Sequence, residues 1–198
     1  MDFSALKTEL AERGFNYLND TRRGYFINQA RHELDMLELW PYRITTLTNQ
    51  TPPVTITDLG TVSEVIDTAN GSTPLSAMDR SELRQGYNDI SISGTPTYFF
   101  VDNGVLRTFP IGGTLSVRYY MRTADLSGST DLPLSPTQYH LLIVDMASRW
   151  AQKDSDNDVV IPTLSAEIER QLALMRLDLL GSQQVSNPMY VHSEGTDL

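Results

Sequence analysis

The sequence changes its hydrophobic periodicity twice, and this change limits the fold more than any other feature. Both ends carry apolar residues at the three- and four-residue spacing of amphipathic helices, whereas residues 42–122 form short runs rich in Thr, Val, Ile, Tyr and Phe. The end helices must bury their apolar stripes, and they have each other for that purpose. The pattern predicts an α+β fold in which a β-rich module is inserted into a four-helix, bundle-like frame.

Four helices are predicted, near residues 3–13, 21–39, 136–152 and 163–180. The helical frame would comprise residues 1–41 together with 133–181, and the β-rich insertion would comprise residues 42–132. Residues 182–198 are mostly polar and show no periodicity, so they are expected to form an extended, flexible C-terminal tail.

The second helix is expected to stop at Trp40-Pro41, because a proline pushes the residue before it out of the helical region. His32 and Glu33 in this helix match the start of the zinc motif His-Glu-x-x-His, but Met36 stands where the second histidine is required. The stretch therefore indicates bundle core and not a metal site. The residues expected in that core are Ile27, Ala30, Leu34 and Leu37.

Within the β-rich region, Asn103-Gly104 lies between two apolar runs and is typical of a two-residue hairpin turn. A further strand follows Gly112-Gly113, so a three-stranded meander is predicted. "RITTLT", "VTITDL" and "SEVIDT" are further strand candidates, and "DRSELRQG" suggests a short helix among them. The third long helix should begin with a capping box, since Ser135, Pro136 and Gln138 occupy the N-cap, first and third positions.

The composition excludes several classes of site. The chain has no cysteine, which removes disulfides, thiolate nucleophiles and zinc sites built on sulfur. A net charge of −10 argues against tight binding of nucleic acid, which requires a surplus of Lys and Arg. No apolar run is long enough to span a membrane, and the start "MDFSALKTELAERG" lacks the apolar segment of a signal peptide.

No set of residues satisfies the spacing of a catalytic, cofactor or metal site. The acidic stretch from Asp154 to Asp158 resembles the start of a calcium-binding EF-hand loop, but Val159 replaces the required glycine and Ser165 replaces the bidentate glutamate. A solvated loop is the default interpretation, and a weak cation site stays open as an alternative. No Gly-x-Ser-x-Gly elbow occurs, and His140 and His192 have no metal-binding residue at ligand spacing.

The aromatic residues of the predicted meander alternate along their strands, so they should divide between two faces. One face is expected to be core and the other a protein contact. A platform for stacking nucleic-acid bases is the weaker alternative because of the acidic net charge. An exposed surface suited to a protein interface is predicted at Arg118, Tyr119 and Arg122.

An ordered set of motifs resembles the head-to-tail adaptor proteins, or connectors, of tailed bacteriophages. It consists of "FINQARHELDMLELWPY", then "GTPTYFFVDNGVLRTFP" and "LSVRYYMRTADL", then "DLPLSPTQYHLLIVDMASRWAQ" and "LALMRLDL". The resemblance is to the group with a β module inserted between helix pairs, and it covers most of residues 24–180. None of these motifs is a catalytic signature.

This resemblance implies a structural virion protein without enzymatic activity, located at the neck of the particle and assembled in the host cytoplasm. It implies a homo-oligomeric ring, usually of about twelve subunits, between the portal protein and a tail or stopper protein. DNA would pass through the lumen without specific binding, and an acidic lumen would lower friction.

The resemblance also suggests that the C-terminal tail docks on the portal by adding a short strand. The residues expected to make this contact are Pro188, Met189, Tyr190 and Val191. Another neck, stopper or tail-completion protein and, less favoured, a non-viral binding module remain as alternatives.

Overall fold

The computed structural model describes residues 1–87, 91–155 and 161–181. The helices are α1 (Phe3–Leu10), α2 (Asp20–Leu37), α3 (Arg80–Gly86), α4 (His140–Asp154) and α5 (Ile161–Leu179). The strands are β1 (Ile44–Gln50), β2 (Val54–Thr55), β3 (Leu59–Asp67), β4 (Thr73–Pro74), β5 (Ser76–Ala77), β6 (Tyr98–Asp102), β7 (Val105–Phe109) and β8 (Leu115–Met121). The predicted α+β class is confirmed.

The chain divides into two compact units. The helical unit consists of the described parts of Met1–Leu34 and Ser127–Leu198, and the β unit is Asp35–Leu126. The four predicted long helices all form, although α1 continues beyond Leu10 as a π-helical stretch over Ala11–Phe15. α4 contacts both α1 and α5.

Side-chain caps fix the starts of the first two helices. The carboxylate of Asp2 accepts a hydrogen bond from the N–H of Ala5 at 2.8 Å, and the side-chain oxygen of Asn19 accepts one from the N–H of Arg22 at 2.8 Å. Such bonds satisfy amide groups that have no partner within the helix. The core of the helical unit contains three of the four predicted residues of the α2 stripe, Ile27, Ala30 and Leu34, together with Leu6, Leu10, Leu142, Ile143, Met146, Ile168 and Met175.

Two predictions about the helices are wrong. Leu37, expected in the bundle core, is 39% exposed at the last position of α2. The capping box at Ser135 does not form, because Pro136 is extended and a 3₁₀ turn over Thr137–Tyr139 precedes α4. The hydroxyl of Ser135 is buried without a hydrogen-bond partner in the part of the chain that the structure describes.

In its described residues the β unit contains two four-stranded sheets, with the orders β1-β8-β3-β4 and β2-β7-β6-β5. The predicted hairpin joins β6 to β7, and both turn residues have positive φ, 50° for Asn103 and 77° for Gly104. The core of this unit contains the residues Val54, Ile56, Leu59, Val65, Leu75, Phe99, Leu106, Leu115, Val117 and Tyr119.

The predicted three-stranded meander is wrong, because β8 leaves the sheet of β6 and β7 and pairs with β1 and β3 in the other sheet. The chain changes sheets at Gly112-Gly113. Gly113 has a φ of 85°, and a Cβ atom there would lie 2.9 Å from both Asp67 Oδ1 and Pro96 Cγ. "VTITDL" also departs from prediction, since its strand ends at Thr55 and the next strand begins at Leu59.

Candidate interaction surfaces

Tyr119 is not part of an exposed surface, and this element of the predicted interface is wrong. Its side chain is 3% exposed and lies in the core of the β unit with Leu115 and Val117, because alternate residues of β8 face the core. The hydroxyl donates a hydrogen bond to Asp58 Oδ1 at 2.9 Å. Burial, together with this carboxylate, raises the pKa of Tyr119 to about 12.

Arg118 and Arg122 are exposed, as predicted. In β8 Arg118 pairs with Thr46 of β1 on one side and with Glu64 of β3 on the other. Because Glu64 lies opposite Arg118, this face carries both signs of charge and is not purely basic. A role of Arg118 and Arg122 in an interface stays a prediction.

The two phenylalanines of β6 are buried on opposite faces of the strand. Phe99 belongs to the main core of the β unit, whereas Phe100 packs in a second cluster with Leu83 and Phe109. Leu83 comes from α3, so part of the face expected to contact another protein is covered by the chain itself. Neither phenylalanine is placed to stack on nucleic-acid bases.

A capping box positions α3, in the segment where the sequence suggested a short helix. The carboxylate of Asp79 accepts a hydrogen bond from the N–H of Ser81 at 2.7 Å, and Glu82 accepts one from the N–H of Asp79 at 3.1 Å. Hydrogen bonds from the hydroxyl and the N–H of Ser81 lower the pKa of Asp79. These local bonds therefore fix the residue at which α3 begins.

Asp35 joins the two ends of the β unit, a role that its position in a polar helix face did not reveal. Its side chain is 5% exposed and accepts hydrogen bonds from the hydroxyl of Tyr42, at 2.9 Å, and from that of Thr123. Arg43 donates to the carbonyl oxygens of Asp35 and Met121. The entry and exit segments of this unit are thus held together by buried polar bonds.

Among the described residues, the end strands β1, β2, β4 and β5 each have one edge without a strand partner, and parts of β3 and β6 are also open. β1 pairs only with β8, through Ile44–Leu47 and Gln50. On the side of β3 away from β8, β4 pairs only with Ile66 and Asp67, so the stretch 59–64 is open. The end of β6 at Val101 and Asp102 is open on the side of β5. Open edges present backbone N–H and C=O groups that can bond to another strand.

A groove of about 710 Å³ lies between the open edges of β3 and β6. Its lining includes the apolar side chains of Leu59, Val62, Met78 and Phe99. At its rim Arg80 forms an ion pair with Asp102. The groove therefore combines an apolar lining with strand edges that have free backbone groups, which is the chemistry that an added β-strand requires.

The helical unit presents a different kind of surface. Five of its leucines are at least 46% exposed, and they are Leu132, Leu134, Leu141, Leu174 and Leu177. Gln138 and Tyr139 both donate hydrogen bonds to Asp178, which ties the end of α5 to the turn before α4. Burial and the neighbouring Asp178 carboxylate raise the pKa of Tyr139. Exposed apolar side chains mark a protein contact where they form a contiguous patch.

Polar side chains that suggested chemistry have structural partners. Glu33 accepts hydrogen bonds from Arg149 and, at 2.8 Å, from the indole N–H of Trp150, so it joins α2 to α4. His140 is 2% exposed, donates to the carbonyl of Ser135 at 2.9 Å, and accepts a bond from the α-ammonium of Met1 at 2.7 Å. Burial lowers the pKa of His140.

Within residues 1–87, 91–155 and 161–181, no group of three or more metal-binding side chains comes together. In the acidic loop, Asp154 forms an ion pair with Arg22, while Asp156 and Asp158 lie outside the described residues. The tail residues 188–191 and His192 also lie outside them. No helix in the described part of the chain is both long and apolar enough to cross a membrane.

The described residues form an α+β fold whose prominent surface features are open strand edges and exposed leucines. A family model described as SU10 adaptor protein matches residues 1–192. The chain belongs to this family and is a structural adaptor of a tailed bacteriophage, a virion component of the head-tail junction. A search of curated proteins found no match.

Proposed function

We propose that this adaptor forms a ring between the portal and the tail, joining the two and leaving a passage for DNA. The match to the adaptor family over residues 1–192 carries the proposal. The surfaces described above support it, because a subunit of a ring must contact two neighbours as well as the components above and below it. Closed rings arise from heterologous contacts, in which two different surfaces of each copy meet.

The charge of the chain supports a passive channel. With a net charge of −10, an acidic lumen would repel the DNA phosphates and so oppose tight binding to the wall. A ring with a basic lumen would contradict this part of the proposal.

The C-terminal tail is proposed to dock on the portal, with residues 188–191 as the added strand. The segment combines Pro188 with a short run, Met189 to Val191, that can adopt an extended conformation. A chain that ends at Gly181 tests the idea. Its affinity for the portal should fall at least tenfold in a sedimentation or interferometry assay, while its circular dichroism stays unchanged. Unchanged affinity would reject tail docking.

The ring itself can be tested by mixing the full-length chain with the purified portal protein of the same phage. Class averages from electron microscopy should show one ring of about twelve adaptor copies on the portal. Native mass spectrometry should give the matching mass. A chain that stays monomeric and does not bind the portal would overturn the proposal.

A further inference from the structure

We propose that neighbouring copies in the ring join edge to edge, with β1 of one copy pairing beside β3 of the next so that one sheet continues from subunit to subunit. The inference rests on the proposed ring and names the surface that would close it. In the strand order β1-β8-β3-β4, β1 is the end strand on one side of the sheet. On the other side β4 covers only the end of β3, so most of β3 is open. Two different edges of one sheet can meet only in a heterologous contact.

The sequence of β1 leaves its edge unprotected. Natural edge strands avoid unwanted pairing through Lys, Pro, inward charges or short length. The paired stretch Ile44–Leu47 reads Ile-Thr-Thr-Leu and contains neither a charge nor a proline. A register irregularity between Leu47 and Gln50, with Asn49 at a φ of 57°, limits the usable edge to this stretch.

The open edge of β3 has the length and the space to receive it. The stretch 59–64 precedes the two residues that pair with β4, so a strand of four residues fits without displacing β4. The groove of about 710 Å³ lies along this edge and provides the room. Its apolar lining is suited to alternate side chains of an incoming strand.

The two edges also match in side-chain direction. Leu47 and Val62 pair with Val117 and Tyr119 of β8, and both are partly buried apolar side chains on the core side of the sheet. Thr46 and Thr61 pair with Arg118 and Tyr120 and therefore share the outer face. Placing Leu47 of one copy beside Val62 of the next would bury apolar surface that each edge now exposes.

The ring geometry fixes the strand direction. β1 and β3 are both antiparallel to β8, so they run the same way within one copy. Neighbours in a ring of about twelve copies differ by a rotation of only about 30°, which preserves that direction. The new pair is therefore parallel, with Thr46 of one copy beside Thr61 of the next.

Engineered cysteines can test this register without background, because the chain contains none. Within one copy β8 separates the two positions by two strand spacings, about 10 Å, which is too far for a disulfide. Adjacent strands in the proposed pair bring them within bonding range. A double variant, Thr46→Cys with Thr61→Cys, should give a ladder of disulfide-linked multimers when rings assembled on portal are oxidised and run on a denaturing gel.

The single variants provide the decisive controls. A mixture of Thr46→Cys and Thr61→Cys chains should give dimers and no longer species, whereas Thr46→Cys alone should stay monomeric. As a matched control, Thr46→Cys with Glu169→Cys, which is exposed on α5, should give no ladder. A second double variant, Thr46→Cys with Ser63→Cys, tests the register in which the two strands are shifted by two residues.

The outcomes separate this inference from the proposed function. If rings are visible by electron microscopy but neither double variant in β1 and β3 gives a ladder, the edge-to-edge contact is wrong and the ring proposal stands. A dimer from Thr46→Cys alone would indicate a symmetric contact and would also overturn the inference. If no ring assembles on the portal, the proposed function itself fails.

Discussion

The two units of this adaptor use polar groups in different ways. In the helical unit, charged side chains connect one helix to another, as Arg149 does with Glu33 and Arg13 does with Asp145. In the β unit, backbone groups at the open edges of β1 and β3 have no strand partner among the described residues. The comparison indicates that side-chain pairs hold the helical unit together, whereas the β unit keeps backbone bonding capacity for a neighbour.

The largest expected effects come from matched cavities in the two cores. Leu142→Ala in the helical unit and Leu115→Ala in the β unit each remove a side chain that is at most 1% exposed. Each should lower the free energy of unfolding by about 2–5 kcal/mol, measured by urea denaturation. As a control, Leu177→Ala at a site 73% exposed should change stability by less than about 0.5 kcal/mol. An equal loss at all three sites would contradict the assigned cores.

Removing the charge of Glu33 tests whether side-chain pairs hold the helical unit together. Glu33→Gln breaks the ion pair with Arg149 and weakens the bond to Trp150, and both side chains of the pair are partly exposed, at 30% and 20%. With allowance for solvent screening, we expect a loss of about 1–2 kcal/mol in thermal or urea unfolding. The exposed pair Arg170–Glu167 is the control, and Arg170→Gln should leave stability unchanged. If both variants have the same stability, the pair of Glu33 and Arg149 does not hold the helical unit together more strongly than an exposed ion pair would.

A smaller effect is expected from the buried hydroxyl of the β unit. Tyr119→Phe deletes the hydrogen bond to Asp58 while keeping the ring in the core, so it should cost about 1 kcal/mol. In the folded wild-type chain, an absorbance titration should show one tyrosine that ionises near pH 12. Because the pKa of Tyr139 is also raised, the absorbance change at high pH should be smaller in the variant by one tyrosine and not absent. An absorbance change near pH 12 that is the same in Tyr119→Phe and the wild type would show that the tyrosine has been assigned wrongly.

The smallest expected effect is on the pH dependence of stability. Burial lowers the pKa of His140 in the folded state below its ordinary value of 6.5, so the unfolded chain takes up the proton first as the pH falls. The stabilising contribution is present above pH 6.5 and is lost as the pH falls from there towards the lowered folded pKa. His140→Gln should therefore flatten the pH dependence of the melting temperature between pH 7 and 5. An unchanged slope would contradict the neutral, buried state of His140.

Much of the fold could be predicted from local signals. The four long helices follow from apolar spacing, and the hairpin at Asn103-Gly104 follows from a turn that requires positive φ. The capping box at Ser135 failed, although its letters fit the motif, because the extended backbone at Pro136 was decided by the surrounding structure. A sequence motif shows that a capping hydrogen bond is possible, and the tertiary structure determines whether that bond forms.

The candidate surfaces were harder to predict because they depend on strand pairing. Tyr119 was expected to be exposed, but its face is set by the pairing of β8 with β1 and β3, which no local pattern reveals. Asp35 lies on the polar side of α2 in the sequence, yet distant Thr123 and nearby Tyr42 both bond to it. The open edges likewise can be identified only when the order of the strands in each sheet is known.

Pairing between the edges of β1 and β3 can be measured by hydrogen–deuterium exchange of the free chain and of the chain assembled on portal. We expect assembly to slow exchange at the backbone amides of residues 44–47 and 59–64, because both edges acquire strand partners. The buried amides of α4 should exchange at the same rate in both states. Unchanged exchange at the two strand edges, with new protection confined to the helical unit, would show that these edges do not form the contact between subunits.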